Sequence, residues 1–196
     1  MRSAINALYP VRLPDRVYGP RLMLEVCAEA AANGLPIFLF GSSHDAISKL
    51  RAELTAQYPG PEVAGAEPSA FKQLTEAEQR ALIERIRRSG AAITFVGLGC
   101  PRQEVFAYEC AEQLSMPVIS VGAAFDYHAG AVKEPSAWIQ RLGLQWAYRL
   151  GQDPRRLWKR YLGLNPLLLL LMILQKLRLW RPETAATEPR ERLRYG

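Results

Sequence analysis

Hydrophobic positions along this chain of 196 residues fall into two alternating kinds of run. "LPIFLFG" at 35–41, "AAITFVGLG" at 91–99 and "PVISVG" at 117–122 are short, nearly unbroken apolar stretches. They predict strands buried on both faces, because an exposed face would demand a polar residue at every second position. Between them the apolar residues recur every three or four positions, the period of a helix with one buried side. One helix is expected from Pro20 to Asn33, with Pro20 suited to the first turn and Gly34 to the left-handed position just past the end. A second is expected from about Ser43 to Tyr58. The clearest is "TEAEQRALIERIRRSG", where Thr75 and Glu78 form a capping box, Leu82, Ile83 and Ile86 make the stripe, and Gly90 ends it. "PRQEVFAYECAEQLS" gives a fourth. "PEVAGAEPSAF" reads as loop with a short strand at Val63, and residues 1–18, with Pro10 and Pro14, as irregular.

Strands alternating with helices predict an α/β fold: a Rossmann-like parallel sheet with helices on both faces. Three strands end alike, at Gly41, at Gly97 and Gly99, and at Gly122. Open parallel sheets bind ligands beyond the carboxyl ends of their strands, and glycine there lets the backbone approach a phosphate or sugar. Tight turns alone explain any one of these glycines; the three together favour a ligand cleft.

After Gly130 the pattern changes. Residues 136–181 are helical and mix aromatics with arginines. Asp153 and Pro154 mark a fresh helix start after a helix that ends near Leu150. "LGLNPLLLLLMIL", residues 162–174, is apolar but interrupted by Asn165 and Pro166, and is too short to span a bilayer. Cations (Arg155, Arg156, Lys159 and Arg160 before it; Lys176, Arg178 and Arg181 after) and Trp158, Tyr161 and Trp180 border it. That arrangement suits a helix lying in a membrane interface; packing on the domain core, or on a partner subunit of a homo-oligomer, is the alternative. The expected organisation is an α/β domain over 1–135, a basic helical appendage over 136–181 and a disordered tail over 182–196.

Charge sharpens this division. Residues 1–150 hold 15 basic and 15 acidic side chains, and the last 46 hold ten against four, so the whole net charge of +6 lies there. An anionic partner of the C-terminal part follows: a phosphate, a membrane surface or a nucleic acid. The basic tail carries no recognisable reading element, which argues against nucleic acid. Three cysteines without a CxxC pair argue against a disulfide framework. With only two histidines, a zinc site would have to draw mixed ligands from distant points. "MRSAINALYP" has no apolar core of a signal peptide.

Five motifs occur in order: "RVYGP" at 16–20, "PIFLFGSS" at 36–43, "VGLGCPRQE" at 96–104, "VGAAFDYHAG" at 121–130 and "RLGLQWAYRLGQDPRRLWKRY" at 141–161. Together they resemble the WecG/TagA/CpsF family of bacterial glycosyltransferases, over residues 12–165. The resemblance implies an inverting enzyme with no required metal or other cofactor, peripheral at the cytoplasmic face of the bacterial inner membrane. It would move a hexose, of the N-acetylmannosamine type, from a UDP-sugar to an acceptor carried on undecaprenyl diphosphate. Donor-site residues carried over are Arg16, Gly41, Gln103, Glu104, Gly122 and Asp126. Asp126 would accept from ribose hydroxyls, or else be a turn or cap aspartate. Gln103 would donate to a phosphate at a helix N-terminus, which itself favours an anion. Glu104 would orient Gln103 or an arginine, or simply complement the helix dipole. Arg102 adds charge there or is a solvated surface arginine. Arg149, Arg156 and Arg160 would meet the lipid diphosphate. His128 is the general-base candidate by residue type, but the family places a non-catalytic residue there.

The chain departs from the family in one major respect. The family's presumed base is an aspartate in a "PDG" motif upstream of the "RV" position, and "MRSAINALYPVRLPD" has no Asp-Gly. The family's N-terminal strands are absent as well. A shortened form is therefore expected, with the catalytic residue unassigned, and the alternative function is an inactive remnant that binds membrane or a partner. Arg21 stands where an acidic residue is usual, and Gln145 where a glutamate is common.

Overall fold

The structure is a computed structural model that describes residues 2–13, 17–58, 63–72, 74–152 and 154–180. Two compact units divide these residues: 17–133, and 2–13 together with 134–180.

In the first unit, α2 (Gly19–Ala32), β1 (Ile37–Gly41), α3 (His44–Gln57), β2 (Val63–Glu67), α4 (Glu76–Arg88), β3 (Ile93–Gly97), α5 (Arg102–Leu114), β4 (Val118–Ser120) and the short α6 (Ala124–His128) follow one another. The strands form one all-parallel sheet in the order β2-β1-β3-β4. β1 lies inside and is buried along its whole length, as its unbroken apolar run required. Its side chains alternate between faces. Ile37 and Leu39 join Met23, Cys27, Ile47, Leu50, Leu54 and Phe125 on the side of α2, α3 and α6. Phe38 and Phe40 join Leu82, Ile83, Ile86, Phe106 and Cys110 on the side of α4 and α5. β3 alternates likewise, Phe95 toward the first cluster and Val96 toward the second. Both are fully buried, and each such side chain stabilises the fold by roughly 1.5–3 kcal/mol.

Local chemistry sets the helix ends. Ser43 Oγ accepts from Ala46 N at 3.2 Å and starts α3. At α4 the expected capping box is complete: Glu78 N donates to Thr75 Oγ1 at 3.2 Å and Thr75 N to Glu78 Oε2 at 2.8 Å. Lys72 and the Thr75 donors hold the Glu78 carboxyl down to about 2. Arg85 on α4 grips Glu67 at the end of β2 with two N–H···O bonds, 2.5 and 2.8 Å.

The second unit contains α1 (Arg2–Leu8), α7 (Ala137–Arg141), α8 (Gln145–Gln152) and α9 (Pro154–Lys176). One expectation changes here. Residues 2–8 are helical, not irregular; Pro10 limits the helix from outside without preventing it. Its end is fixed by Asn6, which donates to Leu13 O at 3.3 Å and accepts from Leu13 N at 3.0 Å. The helix packs on α9, where Gln175 Nε2 donates to Tyr9 Oη at 3.0 Å. The helix α9 runs 23 residues through Pro166, about 34 Å at 1.5 Å per residue. Among the described residues no helix is long and apolar enough to cross a membrane. Asp153 and the tail at 182–196 lie outside the described residues.

Candidate active site

In strand order the chain goes from β1 outward to β2, then returns past β1 to β3 and β4. Loops leaving the carboxyl ends of β1 and β3 therefore depart in opposite directions, the switch point at which open α/β sheets hold ligands. The candidate residues of the first unit meet at this edge.

Gly41 closes β1 with φ +129°, and a Cβ there would stand 2.6 Å from the Gly97 carbonyl carbon and oxygen. Close passage of the two strands thus already requires this glycine, whatever the ligand. Ser42 follows with φ +57°, a region uncommon for any residue but glycine. It is held there by three bonds. Ser42 N donates to Gly97 O at 3.1 Å and Ser69 N donates to Ser42 O at 3.0 Å. Ser42 Oγ donates to Asp126 Oδ1 at 2.6 Å.

Asp126 sits within α6, whose N-cap is Ala123, so it is neither a cap nor a turn aspartate. Its neighbour Phe125 is fully buried and lies over Gly97, where a Cβ would come within 2.8 Å of the ring. That packing fixes α6 above the strand ends. His128 Nε2 lies 2.9 Å from Pro20 O and so links α6 to the first turn of α2. The ring is engaged with backbone.

Gln103 is buried at the start of α5. Its Oε1 accepts from Gly99 N at 3.1 Å, and its Nε2 donates to Glu104 Oε1 at 2.9 Å. Glu104 thus contacts Gln103 while also standing in the first turn of α5. The carboxamide carries two N–H donors, and this bond uses one. Ser120 Oγ ties β4 to α5 by donating to Gln103 O at 3.1 Å. Gly122, with φ +61°, leaves bare backbone opposite that amide, for a Cβ there would lie 3.7 Å from its nitrogen and oxygen. The Cys100–Pro101 peptide between Gly99 and Gln103 is cis.

This edge can accept hydroxyl hydrogens at a partly buried carboxylate and offer an amide N–H beside the start of α5. It joins Gly41, Gln103, Glu104, Gly122 and Asp126. Arg16 lies outside the described residues. Arg149, Arg156 and Arg160 belong to the second unit, at the end of α8 and in the first two turns of α9. There Trp146 and Tyr161 meet edge to face at 6.1 Å. Sequence reasoning missed Ser42, Ser69 and Ser120. It also missed Phe71, 61% exposed at φ +53° just after β2, where Phe71 N donates to Ser69 Oγ at 3.0 Å. The only local signal was a "GSS" directly after a buried strand.

Sheet topology and the groups at its edge define a Rossmann-like α/β protein. Its family is given by the sequence as a whole. Residues 2–182 match the Glycosyl transferase WecG/TagA/CpsF family, and the chain belongs to that family. It is a glycosyltransferase of polysaccharide biosynthesis, a class that joins a sugar donor to an acceptor.

Proposed function

We propose that the chain transfers a hexose of the N-acetylmannosamine type from a UDP-sugar to an acceptor sugar carried on undecaprenyl diphosphate, at the cytoplasmic face of the bacterial inner membrane. The observation that carries this reading is the meeting of Asp126, Gln103 and Gly122 at the switch-point edge of the sheet, in a chain of this family. Asp126 accepts the ribose hydroxyls. Gln103, steadied by Glu104, gives its amide N–H to the diphosphate. Bare backbone at Gly122 leaves room for the approach. Arg16 supports the donor end. The reading calls for no metal, so transfer should survive EDTA.

The acceptor end falls to the second unit. Arg149, Arg156 and Arg160 meet the lipid diphosphate, as guanidinium groups suit phosphate geometry. α9 carries exposed Leu162, Leu164, Leu168 and Ile173, with basic residues at both ends, which suits a helix lying in an anionic membrane surface.

The test has two arms. Saturating UDP should raise the melting temperature, since a ligand bound only by the native state stabilises it by mass action. Vesicles containing anionic lipid should bind the chain more tightly at low salt than at high salt, while duplex DNA should not. No protection by UDP at any concentration would overturn the donor assignment. Vesicle binding without UDP protection would favour a membrane-bound remnant without transfer activity.

A further inference from the structure

We infer that Ser42 is a positioning residue that aims the Asp126 carboxylate, and that it makes the site prefer a ribonucleotide to its 2′-deoxy counterpart. The inference rests on the donor-site reading above.

Ser42 occupies backbone that glycine would occupy more easily, at φ +57°, and it is only 8% exposed. Both its N–H and its carbonyl are tied down, to Gly97 and Ser69, so the strained conformation cannot relax. Strained non-glycine residues persist where the surroundings over-determine them, and they gather at functional sites. What the serine adds over glycine is one oxygen, and that oxygen donates to Asp126 Oδ1 at 2.6 Å across 84 residues of sequence.

A carboxylate has two oxygens, each able to accept more than one bond. Fixing Oδ1 from the buried side stops rotation about the last side-chain torsion. Oδ2 and the remaining lone pair of Oδ1 are then held as a fixed pair of acceptors. A ribose offers two adjacent hydroxyl donors to such a pair, and a 2′-deoxyribose offers one. Without Ser42 Oγ the carboxylate can turn to serve a single hydroxyl equally well. Discrimination between the two sugars should then fall more than affinity for the diphosphate.

Two substitutions separate this role from a structural one. Ser42→Gly removes the hydroxyl and relieves the backbone. Ser42→Ala removes the hydroxyl and keeps the strain. UDP and 2′-deoxy-UDP affinities are measured by calorimetry on the full chain, with melting temperatures alongside. Both variants should bind UDP about tenfold more weakly, the change expected on losing one hydrogen bond to a charged group, and both should lose most of the preference for UDP. Ser42→Gly should nevertheless melt above Ser42→Ala. An unchanged UDP to 2′-deoxy-UDP ratio in Ser42→Gly overturns the inference. So does a binding loss that simply tracks melting temperature, with Ala the worse of the two. Failure of the unaltered chain to bind UDP, or unchanged UDP affinity in Asp126→Asn, overturns the donor-site reading itself.

Discussion

Replacing Gly41 by alanine should be among the most damaging small changes available to this fold. Two costs combine. At φ +129° an L residue is strained, which costs about 1–3 kcal/mol. The new methyl would also stand 2.6 Å from the Gly97 carbonyl carbon and oxygen and 2.9 Å from its nitrogen. All three atoms are backbone in a paired strand, so no side chain can swing aside. β1 would have to move off β3 by most of an ångström, at an overpacking cost of about 1–3 kcal/mol. The sum, about 4 kcal/mol, is a large part of the 5–15 kcal/mol typical of a whole domain. For a chain of this size it lowers the melting temperature by roughly 10 °C. Gly90→Ala is the control. It too has positive φ, +73°, but nothing lies within 4 Å of its Cβ, so only the backbone cost of about 1–2 kcal/mol applies. Thermal unfolding followed by circular dichroism should therefore place Gly41→Ala well below Gly90→Ala. Equal melting temperatures for the two would refute the claim that strand contact, rather than backbone conformation alone, dictates glycine at 41.

Three further outcomes follow from groups elsewhere in the first unit. Thr75→Ala should destabilise the protein by about 1 kcal/mol through loss of the cap. Because the Glu78 carboxyl is held to about 2, its contribution is present above its ordinary value near 4.5 and is lost as pH falls toward 2. Denaturant melts of wild type and Glu78→Gln, which removes the ionised carboxylate, should accordingly differ more at pH 6 than at pH 3, and an equal gap at both would contradict the assignment. A thiol reagent should modify one cysteine in the native protein, the exposed Cys100, and three after unfolding. Burial pushes the Cys27 and Cys110 thiols up to about 12 and about 11, so both should stay unmodified until the fold opens. His128→Ala should lower the melting temperature by a few degrees, by loss of the bond at Pro20 O, yet leave sugar transfer within about threefold. A fall of 10²-fold or more, the scale of a lost general base, would make His128 a catalyst after all.

The elements of the first unit were legible because their signals are local. An unbroken apolar run announces β1, and a Thr-x-x-Glu pair announces α4. β2, read only as a short strand at Val63, extends to Glu67 because its Ala-Gly-Ala centre carries little apolar signal of its own. α1 was hidden because Pro10 and Pro14 dominate the reading of residues 1–18, whereas the helix is supported by α9 from the far end of the sequence. Pro166 interrupts the apolar run but not the helix, since a proline removes one hydrogen bond but need not end a helix. At the site, Asp126, Gln103 and Gly122 stood inside recognisable motifs. Ser42 did not stand out, because its importance lies in a bond to a residue 84 positions away, which no periodicity encodes.

The pairing of α1 with α9 also has a consequence for how the chain is made. A helix of seven residues is not stable alone in water, and the surface that supports α1 ends at Lys176. At about 5–20 residues per second, roughly 10–30 s separate the synthesis of Leu8 from that of its partner. Residues 17–133 hold every strand of the sheet and both hydrophobic clusters, and they can close during that interval. The second unit can only be completed afterward. On the ribosome the first helix of the sequence is thus among the last to find its place, and a pause or premature stop before residue 176 leaves it without a partner.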